Sequence, residues 1–196
     1  MKITRGVGIL ENFLAEIRYK TVMKVLKNFK NKDRILDIGC GSYPKFLISL
    51  DFKEKFGIDK YDYNFDNYKI NFIKLDLEKN KKLPFEDNFF DVVTALALIE
   101  HLEEDVVKNL FFEVFRILKN KGVFIVTTPS KISKPILEKL SKVKIVSNEE
   151  IEEHKKYYEI SEIYKLFELA NFKNINVKLF ELGFNIIGYG YKLLQV

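Results

Sequence analysis

The sequence predicts an α/β fold built on a seven-stranded, mostly parallel sheet, and three observations carry that expectation. Short apolar runs of strand length alternate with stretches of helical periodicity through the first 130 residues. Two further strand-like runs then follow one another near the C-terminus, as an antiparallel pair at one side of the sheet would. The turn at Gly39, the acids Asp59 and Asp76 and the segment 96–101 all follow strands. They therefore share the carboxyl edge, where open sheets of this kind bind ligands.

Taken in order, apolar residues including Ile9, Phe13, Ile17, Val25 and Phe29 recur at helical spacing and predict a long amphipathic helix over 9–29. A turn at 31–33 leads to a strand at 34–38, where Ile35, Leu36 and Ile38 suit burial on both faces. Gly39 and Gly41 permit a tight turn, and Pro44 fits the first turn of a helix near 44–50. A strand at 55–59 ends on Asp59, the Tyr-, Asn- and Asp-rich stretch 60–69 reads as a loop, and a strand at 71–76 ends on Asp76. Leu83-Pro-Phe85 should touch the core before a turn at Asp87-Asn88 and a fourth strand over 89–97. Val106, Val107, Leu110, Phe111, Val114, Phe115 and Leu118 form a helical face, stopped by a turn at 119–122. A fifth strand, 123–128, is closed by Pro129. Residues 131–146, interrupted by Pro135, and the charged run 147–158 read as an insertion over the ligand-binding face. A helix opening at Ser161 runs to Ala170 and is closed by Asn171, and strands at 172–180 and 185–196 complete the sheet.

Composition bounds the function. With 196 residues, 47% of them hydrophobic and 14% aromatic, a single domain with a substantial core is expected over 1–196. Within it, residues 1–30 form an N-terminal helical lid and 130–158 the substrate-side insertion. The net charge of +5 comes mostly from scattered lysines, with no block resembling a nucleic-acid arm. No apolar run reaches spanning length and no signal-peptide core is present, so a cytoplasmic protein without membrane contact is expected. The single cysteine, Cys40, excludes an internal disulfide and reads as a small residue packed in the turn. No cluster has metal-ligand spacing, so no metal is expected.

The stretch Arg34-Ile-Leu-Asp-Ile-Gly-Cys-Gly-Ser-Tyr-Pro44 with an acid about 20 residues on is compatible with any adenosine ligand whose ribose that acid holds. Pro44 stands where a dinucleotide turn needs its third glycine, and Asp76 adds a second strand-end acid, which turns the reading away from a dinucleotide. Asp91, beside Phe89 and Phe90, reads as structural. Ile35-Leu-Asp-Ile-Gly-Cys-Gly-Ser42 followed by Leu83-Pro-Phe-Glu-Asp-Asn-Phe-Phe-Asp-Val-Val93 resembles the class I S-adenosylmethionine-dependent methyltransferases of the broad small-molecule type. The likeness covers about residues 30–130 and continues more faintly through His154-Lys-Lys-Tyr-Tyr-Glu-Ile-Ser-Glu-Ile-Tyr164 and Phe167-Glu-Leu-Ala-Asn-Phe172.

This resemblance implies a Rossmann-like three-layer sandwich and S-adenosylmethionine as cofactor. It also implies roles: Asp37 organises the turn near the methionine amino group, and Gly39 and Gly41 let the cofactor approach the backbone. Asp59 accepts the ribose hydroxyls, and Asp76 takes the adenine amino group beside the Leu77 N–H. Ala95 and Leu96 line the methionine side. Tyr43 stands where many family turns carry another glycine, so its side chain is expected to point outward or stack on the ligand.

Methyl transfer needs alignment and exclusion of water, and a base only where the acceptor must lose a proton. His101 and His154 are the two candidates for that base or for positioning the acceptor. The leading expectation is transfer to oxygen or nitrogen of a small-molecule acceptor. The alternatives are an RNA-directed methyltransferase, favoured by the net charge, and a non-catalytic regulatory protein that binds the cofactor. Thr94-Ala-Leu-Ala-Leu-Ile-Glu100 lacks the Pro-Pro-aromatic grip for a flipped amino base, so a nucleic-acid partner is disfavoured. The aromatic stretch 180–191 is a candidate open edge for a homodimer.

Overall fold

The computed structural model describes residues 9–27, 29–133 and 155–194. Its strands are β1 (Arg34–Ile38), β2 (Glu54–Asp59), β3 (Ile70–Lys74), β4 (Phe90–Leu96), β5 (Leu118–Pro129), β6 (Lys173–Phe180) and β7 (Asn185–Tyr191). The described helices are α1 (Ile9–Leu26), α2 (Lys45–Ser49), α3 (Glu104–Ile117) and α4 (Ile160–Leu169). The strands form one sheet in the order β3-β2-β1-β4-β5-β7-β6. β1 to β5 pair in parallel, and β7 runs antiparallel between β5 and β6. The reversed strand is therefore enclosed, and the free edge on that side belongs to β6. The aromatic stretch 180–191 is not the open edge its composition suggested, because β7 has neighbours on both sides. None of the described helices is long and apolar enough to cross a membrane.

Side chains alternate between the two faces of the sheet. Leu36 and Ile38 of β1 join the cluster that buries α3 and α4, with Val107, Phe111, Val114, Ile163 and Phe167. Ile35 turns to the other face, where Val22 and Leu26 of α1 and Phe46 and Leu47 of α2 lie. Both faces of the central strands are thus dry, which is why those strands read as unbroken apolar runs.

Two ionic fastenings hold the approach to β4 and its first residues. The Arg116 guanidinium of α3 donates to the Leu83 and Phe85 carbonyls and to Asp87 and Glu113, while Glu113 accepts the Leu83 N–H. This pins the 83–89 loop to α3 and accounts structurally for the Leu83–Val93 pattern. Asp91, buried at the start of β4, accepts the Arg34 N–H at 2.8 Å and the Lys119 ammonium at 2.9 Å. Its structural reading holds.

The expected turn at 119–122 is instead absorbed into β5. Phe90 pairs with Leu118 and Val92 with Val123, so four residues bulge opposite Asp91. Lys121 takes a left-handed φ of 68° there, and Lys121 and Gly122 exchange backbone bonds with Lys192. β3 stops at Lys74, leaving Asp76 in the following turn. α4 starts one residue before Ser161, because Glu159 and Glu162 form a reciprocal capping box. Asn171 closes the helix with a φ of 67° as expected.

The insertion has a closed neck. Ser130 bridges Tyr158, and the Lys131 N–H donates to the Tyr158 carbonyl at 3.0 Å, so the chain leaves and rejoins the sheet at one point. Residues 134–154 of it, Pro135 and His154 included, lie outside the described residues.

Asp91→Asn places an amide N–H against a donor already present, whichever way the amide turns. It should cost about 1–3 kcal/mol of folding stability, read by denaturant titration. Unchanged stability would remove Asp91 as a fastening.

Candidate functional site

The turn after β1 is built from backbone constraints. The N–H groups of Gly39 and Cys40 both donate to the Ile58 carbonyl, at 2.8 and 3.1 Å, and the Gly41 N–H donates to Asp59 Oδ2 at 2.9 Å. Gly39 and Gly41 have φ of 74° and 70°, the left-handed region that costs other residues strain. A Cβ on Gly39 would lie 2.8 Å from Leu98 Cδ1, so the segment after β4 closes over the turn at that point. Cys40 is buried and not in a disulfide, and its sulfur fills the space that a Cβ on Gly57 would need. Its reading as a packed turn residue agrees.

Both strand-end acids shape their own turns. Asp59 Oδ1 accepts the Tyr61 N–H at 3.1 Å, so each carboxylate oxygen has one backbone donor and a second lone pair to offer. Asp76 Oδ1 accepts the Glu78 N–H at 3.1 Å, and its Oδ2 meets the Lys79 ammonium at 3.3 Å. Both acids are half-buried at the carboxyl edge of the sheet. Leu77 is half-buried against the cluster that contains Leu83 and Leu110.

Asp37 faces the α1 side, opposite Thr94 in register, and its Oδ1 accepts the Thr94 hydroxyl at 2.7 Å. A carboxylate 5% exposed inside a sheet is costly without such a donor. Thr94 escapes a sequence reading because it looks like any β-branched strand residue; only the register brings it to Asp37. Ala95 is fully buried in the α3-side cluster, in register with Ile38 of β1 on one side and Val126 of β5 on the other. Leu96 turns to the opposite face. Beyond them Ala97 adopts a φ of 50° and Leu98 reaches Gly39, so the chain after β4 folds back onto the turn after β1. Tyr43 is 60% exposed and meets the Tyr68 ring edge-on at 6.1 Å. It points out of the turn, one of the two placements expected of it.

His101 ends a short 3-10 turn, Ile99–His101, directly after this wall. Its neighbour Glu100 is 1% exposed. Burial pushes the Glu100 carboxyl up, against the opposing pull of His101, Arg18 of α1 and Thr128 of β5. Glu181, just past β6, is likewise pushed up by burial and pulled down by Arg18 and Asn185. Among the described residues, Glu100 Oε2, Thr128 Oγ1 and Glu181 Oε1 are buried without a hydrogen-bond partner. The Glu100 carbonyl accepts the Lys155 and Lys156 N–H groups, so the returning arm of the insertion crosses here. The sequence offered one faint signal of this cluster, an acid inside Leu96-Ala-Leu-Ile-Glu100. His154 lies outside the described residues, and among those residues no group of three or more His, Cys, Asp or Glu side chains is placed to hold a metal.

A family profile described as a methyltransferase domain matches residues 10–177. An uncharacterized protein of Methanocaldococcus jannaschii is 32% identical over 136 residues, 65% of this chain and 55% of that protein. A probable S-adenosylmethionine-dependent methyltransferase of Mycolicibacterium smegmatis is 30% identical over 102 residues, 50% of this chain and 39% of that protein. The chain thus spans about half the length, or less, of these curated relatives. Among solved structures, a possible histamine N-methyltransferase from Thermotoga maritima superposes with a TM-score of 0.65. It covers 94% of this chain and 96% of that one at 17% identity, a likeness of fold.

A buried acid with a raised pKa keeps its proton at pH values where the unfolded chain has released it. Wild-type stability should therefore fall with rising pH, from the ordinary value near 4.5 up to the raised folded one. Glu100→Gln removes that dependence, so the variant should gain on the wild type between pH 4 and pH 8 in denaturant titrations. A difference independent of pH would contradict the burial effect.

Proposed function

The chain belongs to the class I S-adenosylmethionine-dependent methyltransferases, and on that premise we propose that it transfers the cofactor's methyl group to oxygen or nitrogen of a small-molecule acceptor. The observation that carries the cofactor assignment is the Gly39–Gly41 turn tied to the Asp59 carboxylate at the sheet's carboxyl edge. The spare lone pairs of Asp59 suit the two vicinal ribose hydroxyls, and the glycines at 39 and 41 hold the left-handed angles that bring the turn's backbone to that carboxylate. Asp37, held by Thr94, supports the turn from beneath. Asp76 receives the adenine amino group with the Leu77 N–H beside it, and Ala95 and Leu96 at the end of β4 line the methionine side, with Leu98 closing against Gly39.

The cofactor, when bound, supplies both the electrophilic methyl and its leaving group. This chain's residues have only to hold the acceptor in line and keep water out. His101, at the methyl-facing end of β4, is the residue proposed to position the acceptor or accept its proton. His154 is the second candidate, carried by the insertion that rejoins the sheet at Tyr158.

A specific observation favours a small acceptor over RNA. Three lysines beside the carboxyl edge are paired with acids: Lys45 with Glu16, Lys155 with Glu78 and Glu103, and Lys156 with Glu104 and Glu162. Paired ammonium groups at a rim offer little to a phosphate backbone. The regulatory alternative differs in having cofactor affinity without turnover.

Calorimetry with S-adenosylmethionine on wild type and Asp59→Ala tests the assignment, with Asp59→Asn as a gentler second variant. Affinity should drop about tenfold or more when charged hydrogen bonds to the ribose are lost. Retained affinity in both variants would remove Asp59 from the ribose site. In a product-detected methylation screen, His101→Ala should lower turnover at least tenfold with unchanged cofactor affinity, within the usual range for a lost general base. Equal turnover would assign His101 to packing.

A further inference from the structure

The turn that carries His101 is tethered from two directions. From the arm returning out of the insertion, the Tyr158 hydroxyl donates to the Ile99 carbonyl at 3.4 Å, and the Lys155 and Lys156 N–H groups donate to the Glu100 carbonyl at 2.8 and 3.3 Å. From the other direction comes Glu78, two residues past Asp76. Its Oε1 accepts the Glu103 N–H at 3.1 Å and the Lys155 ammonium at 3.0 Å, partners 25 and 77 residues away in sequence. The Glu78 N–H is in turn held by Asp76 Oδ1 at 3.1 Å. One carboxylate oxygen therefore joins the Asp76 turn, the residues just after His101 and the returning arm.

As an ion pair alone, Glu78 with Lys155 would contribute little, because both side chains reach solvent. The backbone contact is what sets Glu78 apart. Glu103 is the N-cap of α3, yet its own side chain makes no capping bond and instead lies 2.9 Å from the Lys155 ammonium. The start of α3 thus receives its acid from the Asp76 turn, at the helix end where negative charge is favoured. Glu78 also plays two separable parts. As a hydrogen-bond acceptor it holds the Glu103 N–H, and as a charge it holds Lys155. A glutamine keeps the first part and weakens the second, whereas an alanine gives up both.

We propose that Glu78 is a positioning residue that sets the His101 turn and the returning arm against the Asp76 turn, so that occupation of the cofactor site fixes the acceptor side. What the two sides bind rests on the methyltransferase reading; the junction itself rests on the contacts of Glu78. Coupling of this kind is reciprocal, so a tether through which the cofactor steadies the arm also favours the cofactor.

The test is amide hydrogen exchange read by NMR, with and without saturating S-adenosylhomocysteine, on wild type, Glu78→Gln, Glu78→Ala and Lys155→Met. In the wild type the ligand should slow exchange at Leu102 and Glu103 in the His101 turn and at Lys155 and Lys156 in the arm. Glu78→Ala should lose the slowing at all four and bind S-adenosylhomocysteine about two- to fivefold more weakly, the scale of an exposed ion pair. Glu78→Gln should restore the slowing at Leu102 and Glu103 while that at Lys155 and Lys156 stays reduced, and Lys155→Met should match it. Salt at about 0.5 M should reproduce the glutamine pattern in the wild type, since it screens the charge and spares the backbone contact. Slowing that persists at all four positions in Glu78→Ala is direct shielding by the ligand and overturns the proposal. So does ligand binding that slows none of them in the wild type, or a loss in Glu78→Ala matched by equal loss of protection throughout the sheet. Should Glu78→Ala fail to fold, Glu78→Gln and Lys155→Met decide the matter at Lys155 and Lys156. Failure of the wild type to bind S-adenosylhomocysteine overturns the methyltransferase reading instead, and exchange at Glu103 in the free variants then decides the junction alone.

Discussion

The hydrogen bond from the Gly41 N–H to the Asp59 carboxylate is the contact on which the functional edge depends. It joins the turn after β1 to the end of β2, two positions 18 residues apart in the chain. With the Gly39 and Cys40 N–H groups both on the Ile58 carbonyl, the turn has no freedom to drift from the strand beside it. The same carboxylate orders the start of the next loop through the Tyr61 N–H. One charged side chain therefore sets the relative position of the glycine backbone and the following loop. The left-handed angles at Gly39 and Gly41 are the conformational cost of that arrangement.

Sheet burial supplies the rigidity behind it. Leu36 and Ile38 go to one face and Ile35 and Asp37 to the other, so β1 is gripped from both sides. A carboxylate on such a strand is tolerable because Thr94 donates to it from the neighbouring strand. At the opposite end of the strands, Asp91 ties the starts of β1 and β4 to Lys119. The acid at one end of the sheet is a fastening with its partners supplied by the chain. Those at the other end retain capacity for a ligand.

How much of this was legible follows from the range of the interactions. β1 was readable to the residue because its limits are set by local chemistry: a turn before it and Gly39 after it. The fate of 119–122 was not, since Lys119-Asn-Lys-Gly122 has every local mark of a turn and only pairing with Lys192, some seventy residues on, draws it into β5. The start of α4 shifted by one residue because a glutamate capping box outcompeted the serine. In the candidate site, motif and spacing singled out Asp59 and the glycines, which the structure joins through the Gly41 N–H. Thr94 and Leu98 could not be singled out, because each reaches the turn only through a neighbour distant in sequence. For Ala95 the strand end was legible, while the face its side chain takes follows from the period of two along β4, which turns it into the α3-side cluster.

The neck between Ser130 and Tyr158 carries a consequence for how such a chain can change over evolutionary time. Because both ends of the inserted segment are fixed side by side, the entropy of closing that loop rises only slowly with its length. Replacement of the intervening residues leaves the register of β5 with β4 and β7 untouched. The sheet is thereby insulated from whatever lies between these two residues, so a change of length or sequence there need not be transmitted to the pairing of the central strands or to the turn after β1.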